Sequence, residues 1–279
     1  MQIKYVKMRW ATGGVNYSYL LSKLAPPSMT SANWIIDPAE PLEVKDQLST
    51  HELQSITTIV NTHHHYDHAG GNIAFAALLT QRKNPSFIIG STLSATLPTS
   101  KVTQPNDEQI FDLGHNITVE AIRTPCHTQD SVCYLVKDSE KDDYAIFTGD
   151  TLFTAGCGRF FEGTGEEMHN SLNHILERTN GHWDKVKVYP GHEYTKSNVK
   201  FIRHMVWKEI GDNKAFDHLE QLALNTEVLT GMFTLQDELD FNPFMRLNDP
   251  FVRKAVGDDN NTLSEKDVMT KLRKLKDNF

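Results

Sequence analysis

Residues 62–72 read THHHYDHAGGN, so the six positions from His63 to His68 hold four histidines and one aspartate, directly after a β-branched apolar run at 56–60. A single histidine on a strand is more often structural than a ligand; this density reverses that expectation in favour of metal binding. In extended chain, residues two apart share a face. His63 and His65 can then reach one metal ion while His64 points away, and Asp67 and His68 fall in the following turn, placed for a second ion. Three further β-like runs end on a potential ligand: 119–127 on His127, 145–150 on Asp150 and 186–192 on His192. Taken singly each is weak, since His127 or His192 could be an ordinary loop histidine and Asp150 a helix cap. Together they complete a set of five histidines and two aspartates, and ligands at strand ends converge on one edge of a sheet. Seven are too many for one catalytic zinc, which takes about three protein ligands and a water. The set fits two ions sharing a bridge, and imidazole and carboxylate donors suit zinc, iron and manganese alike.

A fold must bring those strand ends together. Period-2 or β-rich runs at 3–10, 16–21, 33–36, 56–60, 87–90, 117–122, 131–136, 144–147 and 186–189 predict strands, and 42–53, 71–82 and 166–178 predict helices. This is a strand-rich α/β layout, most simply sheets covered by helices. From about residue 193 the pattern changes, with helical periodicity at 197–210, 214–228 and 264–276. The expected division is a catalytic domain at 1–192 and a helical substrate-binding domain at 193–279. Two prolines within 241–250 predict an ordered loop there.

Composition excludes several classes of function. The net charge of −8 disfavours a nucleic-acid binder, whose affinity rests on clustered Lys and Arg. No apolar stretch approaches the roughly 20 residues needed to cross a bilayer. Cys126, Cys133 and Cys157 form no CxxC pair and read as small core residues of a reducing compartment. Residues 1–10 alternate like a strand rather than a leader, so a cytoplasmic monomer is expected.

The ligand pattern, with an isolated His, a GD-type Asp and a GH-type His following THxHxDH, resembles the metallo-β-lactamase superfamily, which implies an αββα sandwich. By that resemblance His63, His65 and His127 hold the first metal, Asp67, His68 and His192 the second, and Asp150 bridges both. The segments THHHYDHAGGN, PCHT, GDTLFTAGCGRFFEGT, YPGHEYT and NPFMR are similar to hydroxyacylglutathione hydrolases (glyoxalase II) over nearly the whole chain. The resemblance implies hydrolysis of S-lactoylglutathione to D-lactate and glutathione, the second step of methylglyoxal detoxification. The implied attack is by a hydroxide held on two divalent ions, zinc first and iron or manganese as alternatives, with Asp67 and Asp150 catalytic. Glutathione contacts carry over to Arg159, Phe161, Tyr194, Asn198, Arg273 and Lys276. Phe161 stands where some members have Tyr, so one hydroxyl contact is missing, and Tyr66 replaces the commoner Trp.

Other residues keep plainer readings. His51, His64, His115, His169, His174, His182, His204 and His218 are expected to be structural or solvated. Gly70 and Gly71 permit close packing where the chain turns into a helix. Asp37 is either a carboxylate behind the metal ligands or a strand-end turn residue before Pro38. At the C-terminus, Ser264 and Asp267 resemble a capping box, Val268, Leu272 and Leu275 form an apolar stripe, and Arg273 and Lys276 are surface neighbours at i and i+3. The competing functions are another reaction on the same scaffold, such as persulfide oxidation at one iron, a metal-dependent nuclease, and a non-catalytic metal-binding protein.

Overall fold

The computed structural model describes residues 1–9, 15–22, 33–79, 86–88 and 102–279. Its first sheet runs in chain order through β1 (Gln2–Arg9), β2 (Val15–Ser22), β3 (Asn33–Ile36), β4 (Ile56–Val60), β5 (Ser86–Ile88) and β6 (Val102–Thr103). The second contains β7 (Gln109–Gly114), β8 (Ile117–Arg123), β9 (Val132–Asp138) and β10 (Asp143–Gly149). A small hairpin of β11 (Leu152–Phe153) and β12 (Gly156–Cys157) follows, and then β13 (Val186–Pro190), which pairs with β10. Strand periodicity explains the stacking. Along β9, Val132, Tyr134 and Val136 face a core shared with Tyr19, Trp34 and Val60 of the first sheet. Cys133 and Leu135 point the other way, into a second core. Residues alternate between faces in a pleated strand, so a strand apolar at every position must be covered on both sides.

The outer face of the first sheet, through Leu20, Ile35 and Ile59, packs on Val44 of helix α1 (Pro41–Gln47) and on Phe75. Helix α2 (Thr50–Ser55) leads into β4, one-turn α3 (Tyr66–Ala69) follows it, and α4 (Asn72–Leu78) carries Phe75. The outer face of the second sheet is covered by α5 (Gly165–Arg178), through Met168, Leu172 and Ile175. The four layers are the expected αββα sandwich. Beyond residue 192 come α6 (Thr195–Met205), α7 (Lys214–Asn225), α8 (Leu235–Phe241), a 3-10 turn at Pro243–Met245, α9 (Pro250–Ala255) and α10 (Glu265–Asp277). Their buried side chains, among them Trp207, Phe216, Phe244 and Leu272, join the same core as Ile146, Val186 and Val188 of the second sheet.

Strand direction places the site. β8 and β10 are both antiparallel to β9, and β13 is parallel to β10, so β8, β10 and β13 end at one edge. The loop after β4 meets that edge, where the Val132 N–H donates to the Thr62 carbonyl at 2.8 Å.

Several expected elements differ. The helix predicted over 42–53 is two helices, because Ser49 and Glu52 form a reciprocal capping box that starts α2 anew. The helix predicted over 71–82 ends at Leu78, and residues 80–82, like Trp10 and residues 89–90 of two predicted strands, lie outside the described residues. The helices predicted over 197–210 and 214–228 stop at Met205 and Asn225. Strands β6, β7, β11 and β12 and helices α8 and α9 were not anticipated. Within 241–250, Pro250 opens α9 rather than ending a loop: a first-turn proline lacks only an N–H that would be unpaired anyway, and Asp249 caps the helix by accepting from Phe251 N–H.

Candidate metal centre and adjoining pocket

The loop after β4 is pinned by one buried carboxylate. Asp37, at the end of β3 with φ of 50°, accepts from Thr62 N–H at 2.9 Å and from the Thr62 hydroxyl at 2.7 Å. Its Oδ2 also accepts from His68 Nδ1 at 2.9 Å. Of the two readings of Asp37, the structure places it behind the histidines, holding a ring. Asn61 adds a second tie by donating to the His68 carbonyl, and glycines allow the close approach of the other loops. A Cβ on Gly149 would lie 2.6 Å from Thr62 Cβ, one on Gly191 2.5 Å from Asp150 Oδ1, and one on Gly71 2.1 Å from the Pro38 carbonyl.

The seven expected ligands converge. His63, His65 and His127 form one cluster and Asp67, His68 and His192 another, with the donor atoms of each within 4.8 Å of one another. His65 Nδ1 lies 3.1 Å from His63 Nε2 and 3.0 Å from His127 Nε2, and His68 Nε2 lies 3.1 Å from His192 Nε2. Asp150 stands between the clusters, with Oδ1 3.3 Å from His68 Nε2 and Oδ2 3.3 Å from His192 Nε2 and 3.5 Å from His127 Nε2. Asp67 Oδ2 reaches His192 Nε2 at 3.4 Å.

Ring orientation indicates what the centre accepts. His127 Nδ1 donates outward to the Arg159 carbonyl at 2.9 Å and His68 Nδ1 to Asp37, which leaves each Nε2 directed inward. Such outer partners fix the tautomer of metal-bound histidines. Burial, reinforced by neighbouring imidazoles, holds His63 and His65 below the ordinary histidine pKa, and burial does the same for His127, keeping them neutral as ligands must be. Burial opposes charge on His68 too, yet Asp150 and Asp37 outweigh it and push its pKa up. Asp150 is held well below the usual carboxylate range, against burial, by His192 and His68, and its buried Oδ1 has no hydrogen-bond partner among the described residues. Convergent nitrogens around buried carboxylates fit a divalent cation.

Beside the centre lies a cavity of about 470 Å³, lined in part by Phe153, Arg159, Tyr194, Asn198, Arg273 and Lys276. Five of the six residues expected to contact glutathione therefore share one pocket. Tyr194 joins it to the metal centre, its ring stacked on His192 at 4.7 Å and 8°. The sixth, Phe161, stands outside the lining, 59% exposed, with its ring 5.6 Å from His65 and 5.3 Å from His127. The Arg159 guanidinium lies over Phe161 at 5.7 Å and donates to Asp277 at 3.2 Å. Arg273 and Lys276 are neighbours, though not on open surface as their helix-end position suggested. Arg273 is buried, donating to the Cys157 carbonyl at 2.9 Å and to Asp277 at 3.1 Å. Lys276 donates to Asn198 Oδ1, and burial, with Arg273 adding to it, lowers its pKa to about 7.

His64 has a more specific place than a solvated turn. It points away from the centre, as alternation requires, and bonds Asp130 at 2.8 Å, bracing the His63 loop against the His127 loop. Tyr66 is 70% exposed beside the centre. Among the other histidines, His169 and His174 pair with Glu265 and Asp107, and His182 stacks on Tyr144. Neither Asp130 nor Glu238, discussed below, carried a signal in the sequence.

Known proteins are similar to this chain over nearly its whole length. The family model described as metallo-beta-lactamase superfamily matches residues 30–192, and that described as hydroxyacylglutathione hydrolase C-terminus matches residues 193–279. The mitochondrial hydroxyacylglutathione hydrolase of Saccharomyces cerevisiae is 55% identical over 99% of this chain and 95% of its own length. The cytoplasmic isozyme of the same yeast is 52% identical over 99% of each. Among solved structures, a metallo-beta-lactamase from Staphylococcus aureus superposes with a TM-score of 0.60 at 19% identity, over 98% of this chain and 72% of its own, a likeness of fold.

Proposed function

Because the chain belongs to the hydroxyacylglutathione hydrolases of the metallo-β-lactamase superfamily, we propose that it hydrolyses S-(2-hydroxyacyl)glutathione thioesters, S-lactoylglutathione foremost, to the hydroxy acid and glutathione. The observation that carries this reading is the junction at Tyr194, where a cluster of seven donors opens onto a pocket holding Arg159, Arg273 and Lys276. The glutathione moiety has two carboxylates and one ammonium, and a chain of net charge −8 needs local cations to receive it.

His63, His65 and His127 would hold one ion and Asp67, His68 and His192 a second, with Asp150 shared. Divalent ions in such a site supply a water acidified to a pKa of about 7 and a Lewis acid for the thioester carbonyl. The chain's own residues do the rest. Asp37, the Thr62 hydroxyl and the Arg159 carbonyl keep the rings in register; Asp150 and Asp67 orient the attacking water toward the carbonyl carbon. Phe161 walls the acyl side, and the pocket fixes the tripeptide so that the C–S bond faces the donors. A thiol of pKa about 8.5 leaves readily, so no separate acid is required of the protein. Zinc is the proposed metal.

Elemental analysis of the purified protein should find up to two transition-metal ions per chain. Rigorous chelation should abolish thioesterase activity, and zinc should restore it. Activity that survives metal removal, or equal rates with glutathione and coenzyme A thioesters, overturns the reading. The relatives include a cytoplasmic and a mitochondrial isozyme; a cytoplasmic monomer remains the proposal here, checked by fractionation and by light scattering.

A further inference from the structure

The β11–β12 hairpin begins two residues after Asp150, and its backbone is held from outside the catalytic sandwich. The Thr154 carbonyl accepts from Asn198 Nδ2 at 2.8 Å and the Cys157 carbonyl from Arg273 at 2.9 Å. The Gly156 carbonyl accepts from Asn242 Nδ2 at 3.1 Å, and the Ala155 N–H donates to Glu238 Oε2 at 3.0 Å. Asn242 also donates to Glu238 Oε2 at 2.8 Å, so both residues, on and just after α8, grip the tip of the hairpin. Ala155 has φ of 56°, a conformation that residues with a Cβ seldom adopt without support. Part of the hairpin also reaches the site and the pocket. The Phe153 ring lies 6.0 Å from His192 and 5.1 Å from Tyr194, and Phe153 and Cys157 both line the pocket.

Glu238 is an unexpected residue for this place. It is fully buried, and among the described residues no cation pairs with it and its second oxygen has no partner. Burial of an unpaired carboxyl is costly, and leucine or methionine would fill the core with less penalty. What an apolar residue could not do is accept the Ala155 N–H. Burial also raises its pKa to about 8, so the group carries a proton near neutrality, the state that glutamine imitates.

We propose that Glu238 is a positioning residue for substrate binding: by holding the Ala155 N–H it fixes the strained hairpin tip, and through the hairpin it sets Phe153, Asn198 and Arg273 around the glutathione pocket. The proposal rests on the hydrolase reading above for the identity of the ligand, and on geometry alone for the clamp. It predicts a division of effects. His63, His68 and His127 are held by the Thr62 hydroxyl, Asp37 and the Arg159 carbonyl, and among the described residues none of these hydrogen-bonds Glu238, so metal loading and kcat should be spared while ligand affinity falls.

Wild type, Glu238→Gln, Glu238→Asp and Glu238→Ala are compared in the zinc-loaded full chain, at a temperature where circular dichroism shows each folded. Glu238→Ala and Glu238→Asp, which withdraw the acceptor, should raise both KM for S-lactoylglutathione and Kd for S-methylglutathione, by calorimetry, about tenfold. Metal content and kcat should stay within about threefold, and Glu238→Gln should restore both constants to near wild type. Hydrogen exchange at the Ala155 amide reads the clamp without any substrate: slow in wild type and Glu238→Gln, at least a hundredfold faster in the other two. A fast-exchanging Ala155 amide in wild type overturns the proposal even if no variant folds. So do folded Glu238→Ala and Glu238→Asp proteins with wild-type Kd. Wild type that binds no S-methylglutathione and cleaves no glutathione thioester instead overturns the hydrolase reading, and with it the pocket half of the proposal.

Discussion

Asp37 does at one position what would otherwise need several residues: its two oxygens accept from Thr62 N–H, the Thr62 hydroxyl and His68 Nδ1. Its positive φ is the backbone cost of aiming a strand-end carboxylate back under the next strand's loop. Asp37→Asn keeps the size but must turn an amide N–H toward either Thr62 N–H or His68 Nδ1–H. We expect a loss of about 10–100-fold in metal affinity or activity, measured by competition with a chelator; unchanged affinity would mean that His68 is oriented by something else. Glu238 yields a pH prediction. Its pKa is about 8 in the folded chain, raised by burial and by nearby Asp237, against 4.5 unfolded. Between those values the native state keeps a proton that the unfolded chain has released, so stability falls as pH rises, by up to roughly 1.4 kcal/mol per unit. Glu238→Gln lacks this term; its melting temperature should gain on wild type from about pH 4.5 to pH 8, and a constant difference would show that the carboxyl is not protonated. The seven donors were legible because their residue types are rare at such density. Glu238 was not, because a glutamate among the acidic residues of LQDELDF reads as solvated until the fold buries it.

Among elements, α10 most changes what a substitution there should mean. Its N-terminus was readable, since Ser264 Oγ accepts from Asp267 N–H, although the Asp267 carboxylate takes the Ser264 hydroxyl instead of completing the box. Val268 and Leu272 are buried as the stripe predicted. The position of Arg273 was not readable, because only the tertiary fold brings the Cys157 carbonyl against it. Lys276→Ala should raise KM for S-lactoylglutathione by about tenfold with kcat little changed, the pattern of lost uniform binding. Arg273→Ala should raise KM and also lower stability by about 1–3 kcal/mol, since the buried carbonyl and Asp277 lose a charged donor. Thermal melts beside the kinetics separate the two; equal melting temperatures for both variants would remove the structural part of the Arg273 role. Most strands were legible from alternation. β7 was not, because it exposes Ile110 and carries Asp112 and Gly114, which read as turn residues. Helices α8 and α9 are only 7 and 6 residues long, too short for a period of 3.6 to register.

For the whole molecule, the change of pattern near residue 193 is real in secondary structure, yet one hydrophobic core runs across it. A chain ended after residue 192 keeps all seven donors but uncovers the faces of Ile146, Val186 and Val188 that Trp207, Phe216 and Phe244 help bury. It also frees β13, whose Val188 N–H and carbonyl are taken by Phe233 and Gly231. We expect such a truncated protein to be poorly soluble and to bind a hydrophobic dye, since an uncovered sheet edge pairs with other chains. A soluble, metal-loaded product with a cooperative melt would overturn that view. The route of the donors through the chain has a consequence for biosynthesis. They leave β4, β8, β10 and β13 in that order, and β13 pairs with β10 only after the crossover through α5. On the ribosome, then, His63, His65 and His127 emerge before His192, so the donor set can be complete only after β13 has been made and paired with β10. A chain cut short before β13 should therefore lack His192 and with it one member of the second cluster.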